Sequence, residues 1–227
     1  MIPGLEELLS GKRIVAVVCN QYGDTGKGKF SDLLAAEWAD VIARGTGGAN
    51  AGHTVVIGGK QRVFHLLPAG IVYDGQGKTN ILGNGMAIDC ASLCGELDDL
   101  AQEGIRPHHL MISRDAHVIM PYHIAFDRAK NQSMANGGIG STGRGMGPAY
   151  ADKIARRGIT IGDVSNRDVL ARKLKEAATM YSDVHVDDII SSLQPHVRQI
   201  SPFVRDTAAE LHSFIRQGKK ISLEGAQ

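Results

Sequence analysis

Ile14-Val15-Ala16-Val17-Val18-Cys19, then Asn20-Gln21-Tyr22-Gly23-Asp24-Thr25-Gly26-Lys27-Gly28-Lys29, then Phe30-Ser31-Asp32-Leu33-Leu34-Ala35-Ala36-Glu37 is the stretch whose reading decides the fold. The first run is short, apolar and rich in β-branched residues, which predicts a central strand buried on both faces, as in a parallel sheet. Gly23, Gly26 and Gly28 leave the next backbone free of Cβ atoms, so successive N–H groups can close around a phosphate. A helix starting just beyond them aims its positive end at the same point, where Lys27 adds a cation. The standard phosphate-binding loop carries Ser or Thr directly after its lysine to hold magnesium; here that position is Gly28. Asp24, a carboxylate inside the loop, is the replacement oxygen ligand, and a hard oxygen suits Mg²⁺. The same glycines can also be read as a tight strand-to-helix turn without a ligand.

Beyond that unit the chain alternates. Asp40 to Arg44 reads as a second strand, followed by a second glycine-rich loop, Gly45 to Thr54. Thr54–Ile57 and Gln61–Leu66 flank Gly58-Gly59-Lys60 as a hairpin. Ile71–Tyr73 and Thr79–Leu82 read as further short strands. Asp89 is a suitable N-cap for a helix over Cys90–Glu103, in which Leu93, Leu97 and Leu100 recur at helical spacing and Gly104 stops the run. His108–Ser113 reads as another strand, with the two adjacent histidines on opposite faces and so unable to share a metal. Tyr122–Lys130 reads as a helix. A third glycine-rich stretch, Gly137 to Pro148, sets hydroxyls and Arg144 beside glycines, which suits an anion; a flexible connection is the other reading. Ala151–Gly158 ends in Arg156 and Arg157, which alone reads as a solvated helix end. Residues 166–218 are helical by pattern, with Asn166 as N-cap and Pro195 and Pro202 as breaks. Lys220–Gln227 reads as a buried strand running into a turn. Strands and helices in this order predict an α/β fold with a mainly parallel central sheet and flanking helices.

The 227 residues, 43% of them hydrophobic, suffice for a sizeable core. With 25 basic against 24 acidic residues the formal charge is +1, which gives no overall basic field for nucleic acid. Cys19, Cys90 and Cys94 are too few for a disulfide framework and fit a reducing, cytoplasmic compartment. Cys90 and Cys94, at i and i+4, read as core residues rather than as a metal pair. No run approaches the roughly 20 apolar residues of a membrane span, and the first residues lack a signal-peptide pattern.

Taken together, Gln21–Lys29, Asn50–Thr54, Gly83-Asn84-Gly85, Ile139–Arg157 and Glu224-Gly225-Ala226-Gln227 resemble the adenylosuccinate synthetases, with the blocks in family order. The resemblance implies a P-loop-like GTP-binding architecture, one α/β domain of which residues 1–227 are the N-terminal part, and GTP-dependent joining of IMP and L-aspartate in purine biosynthesis. It implies that Asp24 takes the N1 proton of the purine and also ligates Mg²⁺, with the Gly52 carbonyl as a second metal ligand. His53 would stand against the β- and γ-phosphates. Gly23, Thr25, Gly26, Lys27, Gly28, Lys29 and Thr54 complete the GTP contacts. Asn50, Thr142 and Gln227 would bind IMP from one subunit and Arg156 from its partner in a homodimer. Gln227 joins Asp24 and His53 as a catalytic residue.

Tyr22 and Thr25 stand where the family usually has Trp and Glu, and Ala49 where a polar residue is common. A phage relative that makes the 2-amino analogue also carries Thr at the position of Thr25, but Ser at that of Asp24, so Asp24 favours IMP. The family runs on for roughly as much chain again, including a threonine-rich loop for aspartate and a Lys-x-Asp segment that reads guanine. These 227 residues alone are therefore expected to be catalytically incompetent. The remaining alternative is a non-catalytic nucleotide-binding module, to which a carboxylate among phosphates is unsuited unless a metal intervenes.

Overall fold

A computed structural model of the chain describes residues 4–20, 26–50, 52–57, 59–133 and 141–226. In chain order the elements are α1 (Leu5–Leu9), β1 (Ile14–Val17), α2 (Lys27–Glu37), β2 (Val41–Gly48), β3 (His53–Ile57), β4 (Lys60–Phe64), β5 (Thr79–Ile88), α3 (Cys90–Gln102), β6 (Leu110–Ser113) and β7 (His117–Val118). There follow α4 (Pro121–Ser133), α5 (Met146–Ile154), α6 (Ile161–Val164), α7 (Arg167–Ala177), α8 (Val186–Ile200), β8 (Val204–Arg205), α9 (Thr207–Arg216) and β9 (Ile221–Glu224).

The main sheet runs β1-β9-β2-β5-β6-β8, with β7 added to β5, and its pairs are all parallel among the described residues. Helices cover both faces, because alternate residues of one strand point opposite ways. Ile42 packs with Leu34, Ala35 and Trp38 of the α2 segment, whereas Val41 and Ala43 pack with Ile81, Ile221 and, from α9, Leu211 and Phe214. The largest core cluster joins β5 and β6 to α3, α7 and α8 through residues such as Leu82, Ile112, Leu93, Leu174 and Leu193. No helix among the described residues is long and apolar enough to cross a membrane.

Several expectations hold. The hairpin forms from β3 and β4, paired antiparallel with Ile57 opposite Lys60. Asp89 caps α3 by accepting the Ala91 N–H at 3.1 Å, and Gly104 beyond its end has φ 78°. Cys90 and Cys94 are buried and free. Asn166 caps α7 through the N–H groups of Asp168 and Val169.

Others are corrected. The first strand lies at the sheet edge, with Ile14 47% exposed, because β9 from the far end of the sequence takes the place between it and β2. Gly45–Gly48 belong to β2, which bulges between Arg44 and Thr46 and so keeps its pairing with β5. A Cβ on Gly85 would collide with the Gly45 carbonyl, which explains a glycine at that crossing. Ile71–Tyr73 lie in a 3₁₀ segment, Ala69–Gln76, tied to α2 by the Tyr73 hydroxyl donating to Asp32 at 2.9 Å. His108 and His109 precede β6, and their N–H groups donate to the buried Asp74 carboxylate at 2.7 and 2.9 Å. Pro195 lies inside α8 without ending it; it and Ser191, four residues back, are both exposed. The helical stretch after Asn166 also contains β8, paired with β6.

Candidate functional site

In an open parallel sheet, ligands bind beyond the carboxyl ends of the strands, where loops leave the sheet. Here β1, β9, β2 and β5 end side by side; in sequence the first glycine-rich block follows β1, the second begins inside β2, and the third joins α4 to α5.

Gly26 caps α2 in the left-handed conformation, φ 78°, and Lys27 is the helix's first residue. The Lys27 ammonium reaches across to donate to the Gly225 carbonyl, just past β9. Gly225 in turn donates its N–H to Val17 at 2.9 Å, continuing the β1–β9 pairing. Burial, and then Arg44, lower Lys27 from the usual lysine range, while Glu224 opposes them. The lysine expected at the phosphates therefore rests against the segment that leads to Gln227. Gly28 is half-buried and Lys29 exposed in the first turn of α2.

Beneath this crevice lies a charged floor that the sequence motifs do not mark. Arg44 and Glu224 are partners in the β2–β9 register, 0% and 2% exposed. The Arg44 guanidinium donates through Nη1 to the carbonyls of His65 and Leu66. The Glu96 carboxylate on α3 takes the N–H groups of His65, Leu66 and Leu67 at 2.8 to 3.2 Å, and Glu224 takes that of Ala69 at 2.9 Å. Residues 65–69 are thus fixed from both sides by buried charges. Burial pushes the Glu224 carboxyl up to about 7, against the Ala69 N–H and the Arg44 and Lys27 charges. The available signal was a charged residue closing each of two apolar strands, since lone charges are almost never fully buried.

The second loop now spans only residues 49–52, between β2 and β3, with Asn50 and Gly52 exposed. The backbone of His53 opens β3 opposite Phe64, and Thr54, opposite Val63, is exposed. Arg144 donates to the Ala49 carbonyl, which ties the third loop to this second one and brings the neighbourhoods of Thr142 and Asn50 together. Thr142 is exposed. Its flanks are anchored on α4: Asp127 accepts from the Ser141 hydroxyl at 2.6 Å and the Gly145 N–H at 2.9 Å. The Tyr150 hydroxyl accepts the Gly47 N–H at 3.0 Å and donates to the Gly85 carbonyl at 2.7 Å, stitching α5 over the β2 bulge. Asn84 accepts from Ser113 at 2.7 Å and Thr207 at 3.1 Å.

Gly23, Asp24, Thr25 and Gln227, and with them the proposed base and metal carboxylate, lie outside the described residues. Arg156 is not brought to this crevice. The nine residues of α5 carry it away from the Thr142 loop, about 13 Å of helix. There it is exposed, with φ 60°. An L-residue in this region costs about 1 kcal/mol against glycine. Arg156→Gly is accordingly expected to stabilise the fold by about 1 kcal/mol, raising Tm by roughly 2–4 °C in thermal denaturation. An unchanged or lower Tm would contradict the strain.

A family model described as adenylosuccinate synthetase matches residues 16–227. The chain belongs to that family. Among its curated members, the adenylosuccinate synthetase of Streptococcus gordonii is 44% identical over 223 residues, covering 94% of this chain and 51% of the relative. That of Anaeromyxobacter sp. strain K is also 44% identical, over 225 residues, with the same shares covered. The chain thus spans about half the length of the curated adenylosuccinate synthetases it matches. The fully ligated adenylosuccinate synthetase of Plasmodium falciparum superposes with TM-score 0.84 at 29% identity, covering 95% of this chain and 52% of that one. Cyanophage S-2L succinoaminodeoxyadenylate synthetase, solved with dGMP and dATP, shares the fold with TM-score 0.63 at 24% identity, covering 94% and 51%.

Proposed function

We propose that the protein of the complete reading frame containing these residues joins IMP and L-aspartate to adenylosuccinate with GTP, in AMP biosynthesis in the cytoplasm, as a homodimer. The observation that supports it best is the family match across residues 16–227. In this reading Asp24 takes the N1 proton of IMP, and the resulting 6-oxyanion attacks the γ-phosphorus of GTP, giving GDP and 6-phosphoryl-IMP. The aspartate amine then attacks C6, and phosphate departs with the former 6-oxygen. Gly23, Thr25, Gly26, Lys27, Gly28, Lys29 and Thr54 hold the GTP phosphates, and His53 stands against the bond that breaks. Asn50, Thr142 and Gln227 orient IMP, and Arg156 reaches it from the partner copy, which suits an arginine carried away from its own crevice. The Asp24 carboxylate and Gly52 carbonyl are hard oxygens suited to Mg²⁺, which when bound neutralises charge on the transferred phosphoryl group. Orientation and charge neutralisation supply most of the rate.

The test is adenylosuccinate formation from IMP, aspartate, GTP and Mg²⁺ by the protein of that reading frame; none formed overturns the proposal. The 227 residues alone are expected to form none, and IMP-dependent GDP release by them would contradict this. Thr25 supports a second reading, in which a 2-amino purine nucleotide replaces IMP. Faster turnover of GMP or dGMP than of IMP would establish it.

A further inference from the structure

We propose that Asp152, held by His123 and Arg157, is a positioning residue for Arg156, keeping that arginine in the conformation from which it reaches the purine nucleotide of a second copy; this rests on the reading of Arg156 above.

Helix α5 ends in a paired hydrogen-bond pattern. The Arg156 N–H donates to Lys153 and the Arg157 N–H to Asp152, both at 3.0 Å. This is the Schellman arrangement, whose left-handed position is usually a glycine. Here Arg156 occupies it, and it is the one non-glycine residue with positive φ among those described. Its side chain is exposed and takes no acceptor among the described residues. A residue kept in such a conformation persists only where its surroundings over-determine it.

Those surroundings converge on Asp152. Its carbonyl takes a further N–H from Gly158 at 3.0 Å. Its carboxylate, 2% exposed, accepts from Arg157 Nε at 2.7 Å and from His123 Nε2 at 3.0 Å. His123 Nδ1 accepts the Met120 N–H at 3.1 Å, so its proton sits on Nε2, directed at Asp152, and the ring is neutral. Burial lowers His123 from the usual histidine range, in the same sense. Burial would raise Asp152, but the hydrogen bonds from His123 and Arg157 outweigh it and hold the carboxyl below its usual range. The His123 ring is wedged edge-on between Tyr122, 4.4 Å away, and Tyr181, 5.7 Å away. Past the turn, a Cβ on Gly158 would collide with His117, and Ile159 is pinned by the Val118 N–H at 2.8 Å. The chain is therefore clamped on both sides of Arg156, and the exposed guanidinium stands on a rigid base.

The test is steady-state kinetics on the protein of the complete reading frame. Asp152→Asn sets an amide N–H against one of two donors, and is expected to raise KM for IMP about tenfold while KM for GTP stays within about twofold. In an Arg156→Ala background the same change should leave KM for IMP where Arg156→Ala alone puts it, because a residue acting through another adds nothing once that other is gone. A merely structural role would shift both substrates, and by the same factor in either background, which would overturn the proposal. Should Asp152→Asn fail to fold, Arg157→Ala, at a half-exposed guanidinium, decides in the same way, with a rise of about threefold or more expected and no change refuting it. If Arg156→Ala itself leaves KM for IMP unchanged, the reading of Arg156 fails; if it raises KM but the Asp152 effect simply adds, the positioning role alone fails.

Discussion

Asp24→Asn in the protein of the complete reading frame is expected to lower kcat by about 10³-fold or more while GTP binding survives within a few-fold. Asparagine has nearly the same shape but cannot take the N1 proton, and a positioned base contributes about 10²–10⁴ in rate. It also removes the negative charge that makes the position a good Mg²⁺ ligand, so the loss of charge neutralisation adds to the loss of the base. Binding responds in the opposite sense, since a carboxylate among phosphates repels them and an amide does not. Steady-state kinetics beside calorimetric titration with GTP separates the two effects. A kcat within tenfold of the parent would return Asp24 to a structural role and favour the binding-module reading.

Arg44→Met has the second largest expected effect, here on stability. Removing a buried cation typically costs about 3–5 kcal/mol where it leaves a nearby opposite charge buried without compensation. The loss here includes Arg44 Nη1, which holds the His65 and Leu66 carbonyls, and the cation opposite Glu224. The pH dependence carries a sign that can be checked. Burial raises the folded-state Glu224 carboxyl to about 7, above its ordinary 4.5. Its proton is therefore bound more tightly in the folded chain, and the stability this supplies is complete below pH about 4.5 and lost as pH rises through about 7. Without Arg44 the carboxyl rises further, so Arg44→Met should gain more than the parent on acidification from pH 7 to 5. Urea denaturation at the two pH values reads both effects. A cost under about 1 kcal/mol, or a gain no larger than the parent's, would contradict a buried Arg44 charge balancing Glu224.

Much of this architecture was legible because it is local. The apolar run at Ile14, the Gly-Gly-Lys hairpin and the Asp89 cap each act through neighbours within a few residues, and each appears as an element in place. What escaped depends on partners distant in sequence. The edge position of β1 follows from β9 pairing with it and with β2, which no property of residues 14–19 announces. Ile71–Tyr73 have β-branched character, yet residues 66–69 just before them are held by Arg44, Glu96 and Glu224, and the chain turns there instead. Arg156 reads as a solvated helix end because its left-handed backbone and the His123–Asp152 contact, 29 residues apart, exist only once α4 packs on α5. The glycine blocks, by contrast, point to phosphate from composition alone, and Arg144 of the third ties to the Ala49 carbonyl of the second.

The most direct test of the central claim follows the 6-oxygen. IMP labelled with ¹⁸O at that position is turned over with GTP, aspartate and Mg²⁺ by the protein of the complete reading frame, and the released phosphate is analysed by mass spectrometry. One ¹⁸O is expected in each phosphate, since that oxygen attacks phosphorus and leaves with it. Adenylosuccinate formed with unlabelled phosphate would contradict the 6-phosphoryl route.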